Sequence, residues 1–91
     1  MSDVAKHIIY FGRVQGVGFR FTAQRIASHY ELTGFVRNLT NETVEILVQG
    51  QADNVSCCLR DITESFAGYI RDAKTEDTTP DARYNRFTIT F

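Results

Sequence analysis

The chain has 91 residues, 43% of them hydrophobic, with eleven acidic against ten basic side chains and a formal charge of −1. That length suits one domain spanning 1–91 with a single small core, and the near-neutral balance supplies no global field to draw in nucleic acid or an anionic membrane, so any anion site has to be local. With no signal-like N-terminus, no apolar run near the roughly 18 residues of a membrane span, and only adjacent Cys57 and Cys58 beside His7 and His29, a soluble cytoplasmic protein without a disulfide framework or metal cluster is expected.

Residues Val4 to Phe11, VAKHIIYF, are rich in β-branched and aromatic side chains and stop at a glycine, which reads as a largely buried strand. Beyond a glycine loop, Phe19, Ala23, Ile26, Ala27 and Tyr30 recur at helical spacing. They predict a helix over about Arg20 to Leu32, with Gly34 as its left-handed C-terminal cap. GFVRNL and TVEILVQG alternate apolar with polar residues across a short TNE link, the pattern of a β-hairpin whose turn lacks glycine. Val55, Cys58, Leu59, Ile62 and Phe66 form a second helical stripe closed by Gly68, with Cys58 toward the core and Cys57 on its flank. YIRDAKTE is a weaker fourth strand, DTTPDA a loop, and YNRFTITF an alternating last strand. The order β-α-β-β-α-β plus a C-terminal strand fits an α+β split βαβ, or ferredoxin-like, sandwich: an antiparallel sheet with two helices on one face.

The stretch GRVQGVGFR holds three of the six glycines and ends in an arginine. Gly12, Gly16 and Gly18 tolerate positive φ, so the amides between them can turn toward one centre. The loop then enters a helix N-terminus, whose unpaired amides and dipole favour an anion, and Arg20 adds a planar fork of donors matched to two phosphate oxygens. Spacing alone leaves a phosphate cradle and an ordinary glycine-rich turn equally open. The Lys-Ser/Thr pair of a Walker loop is missing, as is the G-x-G-x-x-G spacing of dinucleotide sites. Arg13 and Arg37 read as surface residues, and His7 and His29 are not candidate bases.

GRVQGVGFR followed by GFVRNLTNETVEILVQG and RFTITF resembles the acylphosphatase family, over about Val4 to Phe91. The resemblance implies hydrolysis of the carboxyl-phosphate anhydride bond of an acyl phosphate to carboxylate and inorganic phosphate, with no metal and no cofactor. It implies that the backbone amides of Gln15, Gly16, Val17, Gly18, Phe19 and Arg20, with the Arg20 side chain, bind phosphate, and that Asn38 positions the attacking water. Gln15 and Val17 enter as backbone donors, so their side chains are expected to be exchangeable with modest loss. The expected partner is a small-molecule acyl phosphate, the expected bound anion inorganic phosphate or sulfate, and the expected state a monomer that engages neither nucleic acid nor membrane. The carboxylate of a mixed anhydride is already a good leaving group, so positioning and charge complementarity suffice, and the resemblance implies that a phosphate oxygen takes the water's proton. Acetyl, carbamoyl and glyceroyl phosphates all stay open as substrates.

One departure concerns the hairpin turn, where Asn41-Glu42 stands in place of an Asp-Gly-like pair. Glu42 is expected in a left-handed conformation at a cost of about 1 kcal/mol. The related domain of hydrogenase-maturation carbamoyltransferases usually has proline after the arginine and further domains behind it, whereas this chain has Phe21 and 91 residues. RNA-recognition modules share the topology but stack bases on sheet aromatics, which TVEILVQG lacks. A standalone hydrolase is the reading.

Overall fold

Alternating burial along three neighbouring strands makes one wall of the core. Ile8 and Tyr10 on the first strand, Val36 on the second, and Val44, Ile46 and Val48 on the third are all buried, because successive side chains of a strand point to opposite faces. The computed structural model describes residues 3–91; Met1 and Ser2, the start of the domain expected over 1–91, lie outside the described residues. The elements run β1 (Val4–Gly12), α1 (Phe19–His29), β2 (Thr33–Asn38), β3 (Val44–Gly50), α2 (Ala52–Ser65), β4 (Ile70–Thr78) and β5 (Phe87–Ile89). They form one five-stranded sheet in the order β4-β1-β3-β2-β5. Phe19, Ala23, Ile26 and Ala27 of α1 and Val55, Cys58 and Ile62 of α2 join the strand residues in a single core. Both helices therefore cover the same face, as the α+β ferredoxin-like reading expects.

Several details differ from the sequence expectation. The sheet is mixed: β5 lies parallel to β2, with Gly34, Phe35 and Val36 opposite Phe87, Thr88 and Ile89, while the other pairs are antiparallel. A short strand laid against a sheet edge can satisfy that edge in either direction, and the alternation in YNRFTITF carries no directional signal. Only three residues of that segment form strand. The fourth strand is the stronger one, nine residues long with eight of them paired to β1, although nearly every side chain on it is exposed. Its charged residues, Arg71, Asp72, Lys74, Glu76 and Asp77, suit an edge strand that must not recruit another chain.

The helix ends also differ. α1 stops at His29, and the left-handed residue after it is Glu31, at φ 59°, not Gly34. Gly34 lies inside β2, where a Cβ would collide with the Leu47 carbonyl oxygen on the neighbouring strand. Glycine is required there by close approach of two strands. Gly68 has no positive φ and follows the end of α2 by three residues, so it is no left-handed cap. Glu42 is left-handed at φ 66°, as the turn pattern implied.

Cys58 is buried in the core and Cys57 half-buried on its flank. Burial pushes the Cys58 thiol up to about 12, with the charge of Asp61 adding to the effect, so it packs as an inert small hydrophobe. Because Gly34 combines a φ of 130° with a blocked Cβ direction, Gly34→Ala is expected to lower unfolding free energy by about 3 kcal/mol or more. Urea unfolding of the two proteins measures this.

Candidate active site

The loop between β1 and α1 is fixed at both ends by buried side chains. Val14 and Phe19 are 1% and 2% exposed. Phe19, the first residue of α1, lies between the rings of Tyr10 at 5.0 Å and Phe66 at 4.6 Å. Burying a side chain of that size is worth roughly 1.5–3 kcal/mol, so the start of the helix is held firmly and Arg20, the next residue, inherits its position. Between the two anchors the chain arches outward. Gly16 and Gly18 have φ of 76° and 80°, and a Cβ on either would meet open space. Conformation, not room, calls for glycine there.

Among the described residues, the amides of Gln15 to Gly18 donate to no backbone acceptor. The first amides of α1 are likewise free by geometry. Gly18 caps the helix without a side-chain hydrogen bond, and the first turn carries no acidic residue, whereas α2 has Asp53 in its own first turn. The positive end of the α1 dipole is thus left without an internal counter-charge.

Asn38 reaches the same region from β2. It is the last residue of that strand and shares its face with Gly34 and Val36, the face that packs on the helices. Its Oδ1 is buried and has no hydrogen-bond partner among the described residues. Such an atom carries a desolvation cost of about 1–3 kcal/mol unless something else bonds to it.

The loop and the strand are tied together by a side chain that sequence reasoning treated as exchangeable. Gln15 Nε2 donates to the carbonyl oxygens of Leu39 at 2.9 Å and Thr43 at 2.8 Å. These carbonyls bracket the β2–β3 turn, which the Leu39 amide closes on the Thr43 carbonyl at 2.9 Å. Gln15 therefore holds the hairpin that carries Asn38 against the glycine loop. Val17, the other residue expected to serve only through its backbone, is half-buried and packs on the core. No local pattern announces a side chain that bonds 24 and 28 positions away.

A cavity of about 270 Å³ lies where these elements meet, just below the roughly 300–1,000 Å³ usual for drug-sized ligands. Gly16, Gly18, Phe19, Arg20 and Asn38 line it, joined by Val14, Phe21, Ile89 and Phe91. Gln15 and Val17 do not. A second cavity of about 490 Å³ shares Asn38 and Phe91 with the first and includes Arg37. The ion pairs among the described residues engage Lys6, His7, Arg37, Arg60 and Arg83, and Arg20 is in none of them. Its guanidinium carbon stands 5.4 Å from the Phe91 ring centroid. Arg13, likewise in no ion pair and 6.0 Å from the Tyr69 ring, does not line this cavity, and Arg37 bonds Glu45. Among the described residues no group of three or more His, Cys, Asp or Glu stands together as a metal site, and no helix is long and apolar enough to cross a membrane.

Glu45, opposite Arg37 in the hairpin register, fixes the other side of the turn. Burial alone would raise its pKa, but hydrogen bonds from His7, at 2.7 Å, and from Arg37 outweigh it and hold the carboxyl below its ordinary 4.5.

A family model described as Acylphosphatase matches residues 6–89. The acylphosphatase of Bordetella parapertussis is 40% identical over 91 residues, 96% of this chain and 97% of its own length. That of Bacillus licheniformis is 39% identical over 85 residues, covering 92% and 94%. The crystal structure of acylphosphatase from Bacillus subtilis matches with a TM-score of 0.86 at 28% identity, over 97% of this chain and 99% of that one. Full-length HypF, in the phosphate- and nucleotide-bound form, matches with a TM-score of 0.85 at 29% identity, over 99% of this chain but only 12% of its own.

Replacing Gln15 by leucine removes two donors from half-buried carbonyls, and the expected loss is about 1–2 kcal/mol of unfolding free energy, read from the shift of the urea midpoint. Acid should act through Glu45. A carboxyl whose folded pKa is depressed contributes stability that is complete above its unfolded value and is lost as pH falls through the folded one. Unfolding free energy should therefore decline below about pH 4.5, the ordinary value, and Glu45→Gln should flatten that part of the curve.

Proposed function

The chain belongs to the acylphosphatase family and hydrolyses acyl phosphates, and from that premise we propose how its own residues carry the reaction. The phosphoryl group sits in the glycine loop, its oxygens accepting hydrogen bonds from the backbone amides of Gln15 to Arg20. The Arg20 guanidinium closes the cradle with a two-pronged contact to the same group. These donors are fixed before substrate arrives, so they match the charge that gathers on the phosphoryl oxygens in the transition state without reorganising.

Asn38 supplies the geometry of attack. Its Oδ1 accepts a hydrogen from a water molecule and holds that water in line with the bond to the carboxylate. The water oxygen forms a new bond to phosphorus as the bond from phosphorus to the acyl oxygen breaks. The electron pair of the broken bond leaves on the carboxylate, and the water's proton passes to a phosphoryl oxygen, so that the dianionic acyl phosphate and water become a carboxylate and dihydrogen phosphate. No separate base is needed for a leaving group this stable.

The observation that carries this reading is the cavity in which Asn38, whose Oδ1 has no partner among the described residues, meets Arg20 and the loop glycines. The uncompensated dipole of α1 and the absence of Arg20 from the internal ion pairs agree with an anion between them. Inorganic phosphate, the product, then binds as an inhibitor, and the working unit is a monomer with a site built from one chain.

The roles separate by experiment. With Arg20→Ala, inhibition by inorganic phosphate should weaken by about tenfold or more together with turnover, since a charge-assisted hydrogen bond is worth roughly 1.5–3 kcal/mol. With Asn38→Ala, kcat should fall by about a hundredfold while phosphate inhibition changes little. Phosphate inhibition unchanged by Arg20→Ala, or lost with Asn38→Ala at an unchanged kcat, would reverse the assignment.

A further inference from the structure

Phe21, Tyr69 and Phe91 are the large hydrophobic side chains that the described residues leave exposed, at 66%, 41% and 96%. Tyr69 stands beside the Arg13 guanidinium and does not line the cavity of Arg20 and Asn38. The other two border the same cavity, the one that holds Arg20 and Asn38. An isolated exposed phenylalanine needs no explanation, but two converging on the mouth of a site form an apolar patch of the kind that meets a ligand. Phe21 follows Arg20 in the first turn of α1, and Ile89 of β5 adds a half-buried aliphatic side chain to the same lining. The donors of the cavity are thus gathered at the glycine loop, Arg20 and Asn38, and the remainder offers hydrocarbon.

Resting on the hydrolytic reading above, we propose that Phe21 and Phe91, with Ile89, form an acyl subsite that selects acyl phosphates carrying a bulky apolar group, aromatic ones included, over acetyl and carbamoyl phosphate. The phosphoryl end is common to every acyl phosphate and cannot discriminate among them, so selectivity has to come from whatever meets the acyl end. A carbamoyl group presents amide donors that Phe21, Ile89 and Phe91 do not accept, and they stay solvated only if the group stays out of the patch. An acetyl group is too small to cover two rings. A phenyl ring attached to the reacting carbonyl covers them and loses water-exposed area on both sides. The Phe91 ring, already beside the Arg20 guanidinium, makes the border between the two halves of the cavity, so a substrate held by its phosphate has its acyl group brought against that ring.

The probes are benzoyl, acetyl and carbamoyl phosphate, each compared by kcat/KM divided by its uncatalysed hydrolysis rate. The unmodified protein should favour benzoyl phosphate. Phe21→Ala should lower the benzoyl-to-acetyl ratio by about tenfold, the size of one aromatic contact with its burial. Phe91→Ala should lower it in the same direction, and Phe21→Leu, which keeps apolar surface, should restore most of it. Both side chains are exposed, so neither change threatens the fold. A ratio unmoved by both alanine variants, or a preference for carbamoyl phosphate, overturns the subsite and leaves the hydrolytic reading standing. Failure to hydrolyse any of the three overturns the hydrolytic reading itself.

Discussion

Everything in the site depends on keeping two pieces of backbone at a fixed separation: the glycine loop, with its unpaired amides, and the end of β2, with the Asn38 carboxamide. Neither piece is held by the other through a strand ladder, because the loop follows β1 and Asn38 closes a strand two places along the sheet. The link is the Gln15 side chain, one amide group donating to carbonyls on both sides of the hairpin turn. Val14 and Phe19 hold the loop from beneath, so the arch is restrained on three sides and its glycines are free to keep φ values that no other residue adopts cheaply. Rigidity in the supporting shell is what lets a few donors act together.

Among the described residues, the side chains that line the cavity include no carboxyl, imidazole or thiol. On the proposed mechanism, a fixed array of dipoles and one permanent charge suits a reaction whose leaving group departs without help, and no residue has to change protonation state. The titratable groups with displaced pKa values lie elsewhere and serve the fold. Glu45 joins β1 to the hairpin through His7 and Arg37, Asp61 meets Tyr30 between the helices, and Tyr10 and Cys58 are pushed up by burial in the core.

How much of this was legible in the chain follows from the range of each interaction. Local features were readable: the start of α1 after Gly18, the alternation in β2 and β3, the left-handed Glu42, the inward Cys58. Each is set by neighbours within a few residues. Gly34 was misread because glycine after a helical stripe usually caps it, whereas this one answers to the Leu47 carbonyl across the sheet. The parallel pairing of β5 and the unbroken length of β4 were invisible for a related reason, since edge strands are chosen by the sheet they join and β4 hides no apolar face. The motif pointed to Arg20 and Asn38, and the structure places both on one cavity, but the tie made by Gln15 spans 24 and 28 positions, and short-range periodicity cannot register it.

The cavity draws its lining from widely spaced parts of the chain: six residues between Val14 and Phe21, then Asn38, then Ile89 and Phe91. A pocket assembled that way has no nascent version. During synthesis the glycine loop emerges before β5, whose pairing along β2 brings Ile89 and Phe91 into the lining. Loop closure over that many residues is slow relative to helix formation, so catalytic competence should be among the last properties the folding chain acquires, and hydrolysis would serve as a sensitive clock for completion of its topology.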